Sequence, residues 1–414
     1  MAAETPPRKG KAKGPLEGIK VLDLTTLLYG PYAAQILGDM GADVIKVEAL
    51  AGDVWRFIGP LHHVGMGPHF LATNRNKRSI ALDIAKPAGR EAFLRLADRT
   101  DVLMLNLRPR GVKKLGIDYD TLSKRNPGLI YCPATGFGSR GPYADRPAVD
   151  DLIQGLSGLA MLNGRYLNSE PKYAPTVLAD KMSAITLATA VLLAIIHRLR
   201  TGEGQFIEAP MYESMAALMM IEHLSGTMFD PPIGPTGYDR MLTPYRRPFR
   251  TKDGYVTALP YTDDHWQKFF GLCGRTDLIG DPRFRTIKER TEHIGLLYKL
   301  VEDAMVTHTT AEWLAIFNRE NIPAAAVNTI EEVMVDPHIK AVGLLEAVDH
   351  PSEGRMWAIN NPIHMTKSPA SLRRPAPRLG EHSAEILAEV GYTEAEIETL
   401  AKGNVIVDGR GKVA

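Results

Sequence analysis

The sequence predicts an α/β fold built on a doubly wound parallel sheet. A short apolar segment at 19–24 predicts a strand, a helix pattern follows at 30–40, and a second strand is predicted at 43–48. The alternation then continues with predicted elements at 79–82 (strand), 87–97 (helix), 102–105 (strand) and 129–132 (strand). Because strands that alternate with helices pair in parallel, these observations favour a Rossmann-like large domain.

Five further segments carry weaker patterns. The stretch 49–73 is rich in Gly, His and aromatic residues and predicts a long loop, whereas 206–209 predicts a short strand. Near Val327 a long connection begins, which passes through a run of prolines. Two helices are predicted near the end, at 383–390 and 394–402.

A smaller α+β domain is predicted where the composition changes, near Pro231. Asp253-Gly254 predicts a hairpin turn, and helical patterns follow at 264–272 and 296–318. The predicted division is 1–15, disordered basic tail; 16–224, large Rossmann-like domain; 225–328, small domain; and 329–414, linker and segment returning to the large domain.

Composition excludes several function classes. The 49 Lys and Arg residues nearly balance the 48 Asp and Glu residues, which argues against a general binder of nucleic acid or membrane surfaces. The two cysteines, Cys132 and Cys273, are too few for a disulfide framework and indicate a reducing compartment, so we expect a cytoplasmic protein. The basic residues near the N-terminus lack an adjoining apolar segment, which predicts a solvated tail rather than a signal peptide.

A formal dinucleotide-binding pattern runs from Gly136 to Gly141 after a predicted strand. It should open a helix, yet Pro142 and Pro147 follow at once, and the acidic residue that should close the next strand is missing. We therefore interpret the segment as a Gly-rich loop. An NAD-dependent oxidoreductase remains an alternative that dinucleotide binding would reveal.

Clusters of basic and histidine side chains are candidate ligand sites. One basic cluster precedes a strand (Arg75, Lys77, Arg78) and the other follows one (Arg108, Arg110, Lys113, Lys114). Ligands of doubly wound folds bind beyond the carboxyl ends of strands, so the second cluster is the better phosphate candidate, although a solvated basic face explains it equally well. His62 and His63 lie near His69, but a metal site would need acidic partners nearby. We therefore predict no metal site here.

The chain is organised around an apolar segment that follows Asp180. From Ser183 to Ile196 nearly every residue is apolar, Ala or Thr, which predicts a helix buried on all sides in a large core. The segment is too short and too rich in Thr for a membrane span. Asp180 occupies the predicted N-cap, so it is either a simple cap or a carboxylate that the helix dipole keeps ionised for nucleophilic attack.

Several motifs, in order along the chain, resemble those of the class III CoA-transferases, the group of formyl-CoA and carnitine CoA-transferases. The resemblance covers Leu16 to about Ile406. It is carried by Gly30-Pro31, Leu37-Gly38-Asp39-Met40-Gly41-Ala42-Asp43-Val44-Ile45-Lys46-Val47-Glu48, Asn74-Arg75-Asn76-Lys77-Arg78-Ser79-Ile80, Asn106-Leu107-Arg108-Pro109, Gly136-Phe137-Gly138, Gly141-Pro142, Arg200-Thr201-Gly202, Gly204-Gln205 and Ala376-Pro377-Arg378-Leu379-Gly380-Glu381-His382.

The resemblance implies an enzyme that moves CoA from an acyl-CoA donor to a carboxylic acid acceptor. The family's nucleophilic aspartate falls on Asp180, which would form an aspartyl anhydride and then an aspartyl–CoA thioester. Possible active-site neighbours are Asp150, Thr26 and Leu28. The implied CoA-binding residues are Thr26, Leu27, Leu82, Asn106, Lys114 and Leu115. Neither a metal nor a permanently bound cofactor is implied, and CoA is a substrate.

Departures from the family pattern narrow the chemistry. Residues that formyl-CoA transferase uses for the nucleotide fall on Ala49, Ala85 and Pro147, and its glycine-run loop has no counterpart near 234–237. Both points weigh against formate or oxalate. The related 2-methylacyl-CoA racemases need a histidine where this chain has Val149, so racemization is the less favoured alternative. A CoA-binding protein without turnover is a third, and covalent acyl-enzyme formation would exclude it.

The resemblance also implies a homodimer in which two chains form interlocked rings. The smaller domain would then be an insertion, and the proline-rich segment after His350 would return the chain to the large domain. Four arginines lie where the smaller domain begins: Arg240, Arg246, Arg247 and Arg250. One of them would clamp the second carboxylate of a dicarboxylic acid, although surface solubility explains them equally well.

Overall fold

The computed structural model describes residues 14–410 and has a mixed α/β fold. Its strands are β1 (Lys20–Leu24), β2 (Asp43–Glu48), β3 (Lys77–Leu82), β4 (Val102–Leu105), β5 (Ile130–Pro133), β6 (Phe249–Arg250), β7 (Tyr255–Ala258), β8 (Ala324–Ala326), β9 (Leu345–His350), β10 (Gly354–Ile359) and β11 (Ile406–Val407). The predicted α/β class is confirmed.

The α-helices surround and connect these strands. They are α1 (Tyr29–Asp39), α2 (Pro68–Thr73), α3 (Pro87–Ala97), α4 (Pro109–Leu115), α5 (Tyr119–Arg125), α6 (Asp150–Leu156), α7 (Leu159–Leu167), α8 (Leu178–Thr201), α9 (Met211–His223), α10 (Asp239–Leu242), α11 (Asp263–Leu272), α12 (Ile287–Glu292), α13 (Ile294–Met305), α14 (Thr310–Arg319), α15 (Ile330–Val335), α16 (Pro337–Ala341), α17 (Ser383–Glu389) and α18 (Glu394–Lys402). Short 3₁₀ helices cover Val54–Phe57, Ser225–Met228, Thr276–Leu278 and Pro282–Phe284.

The main sheet has six strands in the order β11-β3-β2-β1-β4-β5. Strands β1 to β5 pair in parallel, and only β11 joins antiparallel, with Ile406 opposite Leu82. This order is typical of doubly wound sheets, in which the connections reverse direction between the two central strands. Here that switch point lies between β1 and β4. One core cluster packs the sheet against α3, α17 and α18, so the end of the chain completes this core.

The described chain divides into two compact units. Unit 1 comprises the chain up to Ile153, Thr176–Met215 and the chain from His338 onward. Unit 2 comprises Gln154–Pro175 and Ala216–Pro337, and its core is built around Trp266, Phe269 and Trp313. The predicted division placed 154–175 in the large domain, whereas the structure groups it with the second unit. Of the predicted tail, residues 1–13 lie outside the described residues.

Several weaker predictions of secondary structure are wrong. The predicted loop 49–73 contains a 3₁₀ helix and α2, and the predicted strand at 206–209 is reduced to a single bridge between Phe206 and Tyr131. The predicted helix 296–318 is two helices, because Thr309 caps α14 after a turn. The predicted long connection holds two short helices and the β9–β10 hairpin. The predicted β6–β7 hairpin is confirmed.

Helix α8 is not buried on all sides, contrary to the prediction. Its inner face, which includes Leu187 and Val191, is fully buried and packs in part against α1. Its outer face is exposed, with Leu193 62% and Leu199 75% accessible. The helix is long and apolar enough to cross a membrane by length and composition, with 39% of that window buried, but core helices pass the same test.

Candidate active site

Asp180 lies in the first turn of α8, two residues after the helix begins. The prediction that Asp180 is the N-cap is therefore wrong: Val177 occupies that position, and no side chain at the N-cap accepts a helix N–H in this described segment. Pro175 favours an extended chain before the helix, and the turn closes when the Leu178 N–H donates to the Thr176 carbonyl at 2.8 Å. A carboxylate in a first turn faces the positive end of the helix dipole.

A second carboxylate, that of Asp150, caps the helix instead. Asp150 is the first residue of α6 and is only 7% exposed. Its Oδ1 accepts the backbone N–H of Asp180 at 2.9 Å. The structure therefore brings together two of the acidic residues that the sequence singled out, and it places Asp150 to hold the start of α8.

The environment of Asp180 favours the protonated form. Burial, and secondarily the negative charge of Asp150, raise the pKa of the Asp180 carboxyl from 3.8 to about 7. Both effects act against ionisation of this carboxyl group. The hypothesis that the helix dipole holds this carboxylate ionised stays a prediction, and burial together with the Asp150 charge opposes it. Carboxyl groups with such shifts in their pKa are characteristic of reactive sites.

The loop after β1 contacts the loop after β4. The side-chain amide of Asn106 donates to the carbonyl and hydroxyl oxygens of Thr26, at 3.2 and 3.3 Å. Leu27 has a φ of 69°, a conformation that non-glycine residues seldom adopt, and its N–H donates to the carboxylate of Asp53 at 3.2 Å. Thr26, Leu27 and Asn106 thus lie together at the switch point, where doubly wound folds bind ligands.

A buried set of charges that the sequence analysis missed holds this loop. The ammonium of Lys46 contacts Asp53 at 3.2 Å and donates to the carbonyl of Thr25 at 2.8 Å. Lys77 pairs with Asp23 at 2.8 Å, and Asp23 accepts the N–H of Thr25. The signal was a charged residue within an apolar strand, as at Lys46 between Ile45 and Val47. Because each buried charge is paired, the network fixes the loop's position.

The other predicted CoA-binding residues differ in accessibility. Lys114 is exposed near the end of α4, and Leu115 beside it is half-buried against the core. Leu28 and Leu82 are buried, at 5% and 2% exposure. Leu82 ends β3 and packs in the core, two strands from β1, so its side chain is not available to a ligand.

The two basic clusters have different roles. The members of the first are buried and paired within the protein. Arg75 pairs with Asp39 and Lys77 with Asp23, whereas Arg78 contacts the three carboxylates of Asp43, Glu385 and Glu389. They stabilise the fold and offer no charge to a ligand. The second cluster, on the loop after β4 and on α4, is largely exposed and adjoins Asn106.

The Gly-rich segment after β5 is a loop, as interpreted. Residues 134–149 form bends and turns. The N–H of Gly138 donates to Glu213 at 2.9 Å, and that of Ser139 donates to Glu208 at 3.1 Å. Because these N–H groups already have carboxylate acceptors, they are not free donors for a pyrophosphate.

An acidic side chain does lie beside the histidine pair in the loop after the 3₁₀ helix. The ligand atoms of His62, His63 and Glu353 lie within 4.8 Å of one another. Glu353 contacts His63 Nδ1 at 3.3 Å, so an ordinary hydrogen bond between these two side chains accounts for the arrangement.

Comparison with known proteins decides the family. The model of CoA-transferase family III matches residues 16–383. The chain belongs to CoA-transferase family III. It is a CoA-transferase, and the family implies CoA thioesters as its substrates. The resemblance stated from the motifs is confirmed.

Named members of CoA-transferase family III are similar over nearly their whole length. A succinate–glutarate CoA-transferase of Agrobacterium fabrum is 34% identical over 390 residues, 92% of this chain and 97% of the relative. A succinyl-CoA:mesaconate CoA-transferase of Haloarcula hispanica is 34% identical over 388 residues, 91% and 97% of the two chains. The crystal structure of Rv3272 from Mycobacterium tuberculosis has a TM-score of 0.79 and 32% identity, covering 91% of this chain and 100% of that one.

Proposed function

We propose that this CoA-transferase moves CoA from an acyl-CoA thioester to a free carboxylic acid through covalent intermediates at Asp180. The carboxylate of Asp180 attacks the thioester carbon, the C–S bond breaks, and CoA leaves as a thiolate from an aspartyl–acyl anhydride. The thiolate then attacks the Asp180 carbonyl carbon, which releases the donor acid and leaves an aspartyl–CoA thioester.

The second half of the reaction reverses these bonds with the acceptor. The acceptor carboxylate attacks the aspartyl–CoA thioester, forms a new anhydride and expels the CoA thiolate. The thiolate then attacks the acceptor's carbonyl carbon, so the new acyl-CoA leaves and the Asp180 carboxylate is restored. Splitting the exchange in this way replaces one difficult displacement with steps of similar energy.

The environment of Asp180 is the observation that carries this proposal. The residue is partly accessible, lies at the positive end of a 24-residue helix, and has a pKa of about 7. A carboxylate in such a site is poorly hydrated and therefore more nucleophilic than one in water. The Tyr29 hydroxyl lies near this carboxyl group. Its pKa is raised well above the usual value, first by burial and then by the nearby Cys132 and Asp180.

The CoA-binding site is proposed at the switch point. Thr26, Leu27 and Asn106 form its floor, and the exposed cations on α4, including Lys114, meet the phosphates. Leu82 is left out because its side chain lies in the core. The exposed charge of α4 and the absence of any acid paired with it within residues 14–410 support this placement.

We propose short dicarboxylic acids as the substrates. Two of the relatives are named for succinate, glutarate or mesaconate, all of which carry two carboxylates. Incubation of the protein with succinyl-CoA and glutarate should yield glutaryl-CoA and succinate, detected by mass spectrometry. Butyrate, with one carboxylate, is the matched control. Equal rates for the two acceptors would contradict the substrate class.

We also propose the interlocked homodimer. The apolar outer face of α8 needs a cover, and exposed apolar patches of this kind mark interfaces. Unit 1 is assembled from three separate segments, as a chain that leaves and returns requires. Two differently tagged preparations should exchange no subunits on prolonged mixing, yet form hybrids after joint denaturation and refolding. Free exchange, or a folded monomer at nanomolar concentration, would contradict interlocking.

A further inference from the structure

Arg240 is a buried cation of unit 2 that lacks an acidic partner. It lies on the short helix α10 and is only 6% exposed. Within residues 14–410 its guanidinium forms no ion pair and no hydrogen bond, and it stacks over the ring of Tyr261, whose centroid lies 4.8 Å away. An arginine keeps its charge in a protein, so a buried guanidinium without an acceptor is unfavourable.

The other buried arginines of the described chain show how unusual this is. Each of them has a carboxylate partner: Arg56 has Glu48, Arg75 has Asp39, Arg78 has Asp43 and two glutamates, and Arg290 has Asp263. A bound anion would give Arg240 the partner that the protein supplies to the rest.

Arg240 lines a pocket that is formed entirely by residues of unit 2. The volume of this pocket is about 340 Å³, near the lower end of the range for small-molecule sites. Much of its wall is apolar: Met241, Pro248, Phe249, Ala258 and Leu259. A wall of this kind favours a ligand that has an apolar body as well as a charge.

A second polar group at this pocket also lacks a partner. Tyr298, on α13, lines the pocket and is only 2% exposed. Its hydroxyl is buried and has no hydrogen-bond partner among the described residues. A buried hydroxyl is costly to leave unpaired. The hydroxyl and the Arg240 guanidinium both donate hydrogen bonds, so a carboxylate oxygen can accept from each of them.

The charge of the pocket lining is positive. Arg246 and Arg247 also line the pocket, both are exposed, and Arg247 pairs with Glu302. No Asp or Glu of the described residues is part of the lining. Arg250, the fourth arginine of the predicted clamp, is exposed and lies outside it. That one of these arginines holds a dicarboxylic substrate during CoA transfer stays a prediction.

We propose that this pocket of unit 2 is a second ligand site, which binds a small organic carboxylate. The carboxylate accepts hydrogen bonds from the Arg240 guanidinium and the Tyr298 hydroxyl, and the apolar body packs against the wall. Stacking on Tyr261 holds the guanidinium in place before the ligand arrives. The site takes no part in the covalent chemistry at Asp180, and the inference does not depend on the proposed function.

The test measures the affinity of the full-length protein for benzoate by isothermal titration calorimetry. In Arg240→Gln the dissociation constant should rise about 10- to 100-fold, which is the effect of losing a charge-assisted hydrogen bond. Arg250→Gln, a matched loss of charge outside the pocket, should bind benzoate as wild type does. Equal affinities for benzoate in wild type and a folded Arg240→Gln protein would overturn the proposal.

A second variant keeps the proposal testable if Arg240→Gln does not fold. Tyr298→Phe removes only the hydroxyl, so it should bind benzoate several-fold more weakly than wild type. Unchanged affinity in that variant would overturn the assigned contacts.

Two other ligands test the chemical class. Benzamide has the shape of benzoate without its charge, and inorganic phosphate has charge without an apolar body. Each should bind at least about 10-fold more weakly than benzoate. Binding of either one as tight as that of benzoate would overturn the class of small organic carboxylates.

Asp180→Asn separates this pocket from the reactive carboxyl group. That variant should bind benzoate as wild type does, whether or not the protein transfers CoA. Loss of benzoate binding in a folded Asp180→Asn protein would mean that the anion binds near Asp180, and it would overturn the second site.

Discussion

Asp180→Asn should abolish CoA transfer while leaving the fold intact. An amide cannot attack the thioester to form an anhydride, so the covalent route is closed. Loss of a catalytic nucleophile typically lowers turnover by about 10⁴- to 10⁶-fold, because positioning alone replaces little of it. Steady-state transfer from succinyl-CoA to glutarate measures the effect.

Folding and CoA binding provide the controls for this variant. Asn is nearly isosteric with Asp, and the backbone N–H that Asp150 accepts remains in place. The melting temperature and the affinity for CoA should therefore be close to those of wild type. Near-normal turnover in a folded Asp180→Asn protein would mean that the nucleophile lies elsewhere.

Asp150→Asn should shift the pH dependence of the first half-reaction to lower pH. Only ionised Asp180 attacks the donor, so kcat/KM for acyl-CoA in wild type should rise with pH around a midpoint of about 7. Asparagine retains an oxygen that accepts the Asp180 N–H but lacks the charge that helps to raise the Asp180 pKa. The variant should keep a several-fold larger share of its maximal rate at about pH 6.

The same proton affects stability in a defined direction. Asp180 binds its proton more tightly in the folded than in the unfolded chain, so its protonation favours folding. This contribution is complete below about pH 3.8 and is lost as the pH rises through about 7. Loss of stability over that interval should be smaller in Asp180→Asn than in wild type.

For the rate prediction, coincident pH–rate profiles of wild type and Asp150→Asn would show that the Asp150 charge does not act on Asp180.

Local sequence patterns predicted the strands and helices of the main sheet well, because these elements carry clear strand and helix signals in their own residues. The strand Asp43–Glu48 and the helix Pro87–Ala97 have the predicted bounds, since apolar runs and a proline at the first helical turn are strong signals. For segments without such signals the predictions were wrong. The 49–73 region forms a 3₁₀ helix and α2 largely through the Asp53 cap and Pro68, which composition alone does not reveal.

Parts of the candidate site depend on contacts between segments far apart in sequence. Asp180 could be singled out from its place before an apolar helix, but the Asp150 contact spans 30 residues, and no local pattern shows it. The burial of Arg240 on α10 could not be deduced from a segment that contains four arginines. The exposed face of α8 was missed because an all-apolar segment has no alternation of apolar and polar residues that would mark one face as exposed.

The most direct test of Asp180 as nucleophile is chemical trapping of the covalent intermediate. Wild-type protein is incubated with succinyl-CoA and hydroxylamine, digested, and analysed by peptide mass spectrometry. Hydroxylamine attacks the Asp180 carbonyl carbon of the anhydride or thioester, expels the succinate or CoA, and leaves a hydroxamate. The account predicts a hydroxamate at Asp180, dependent on acyl-CoA, with none in Asp180→Asn. A hydroxamate on another residue, or none during active turnover, would contradict it.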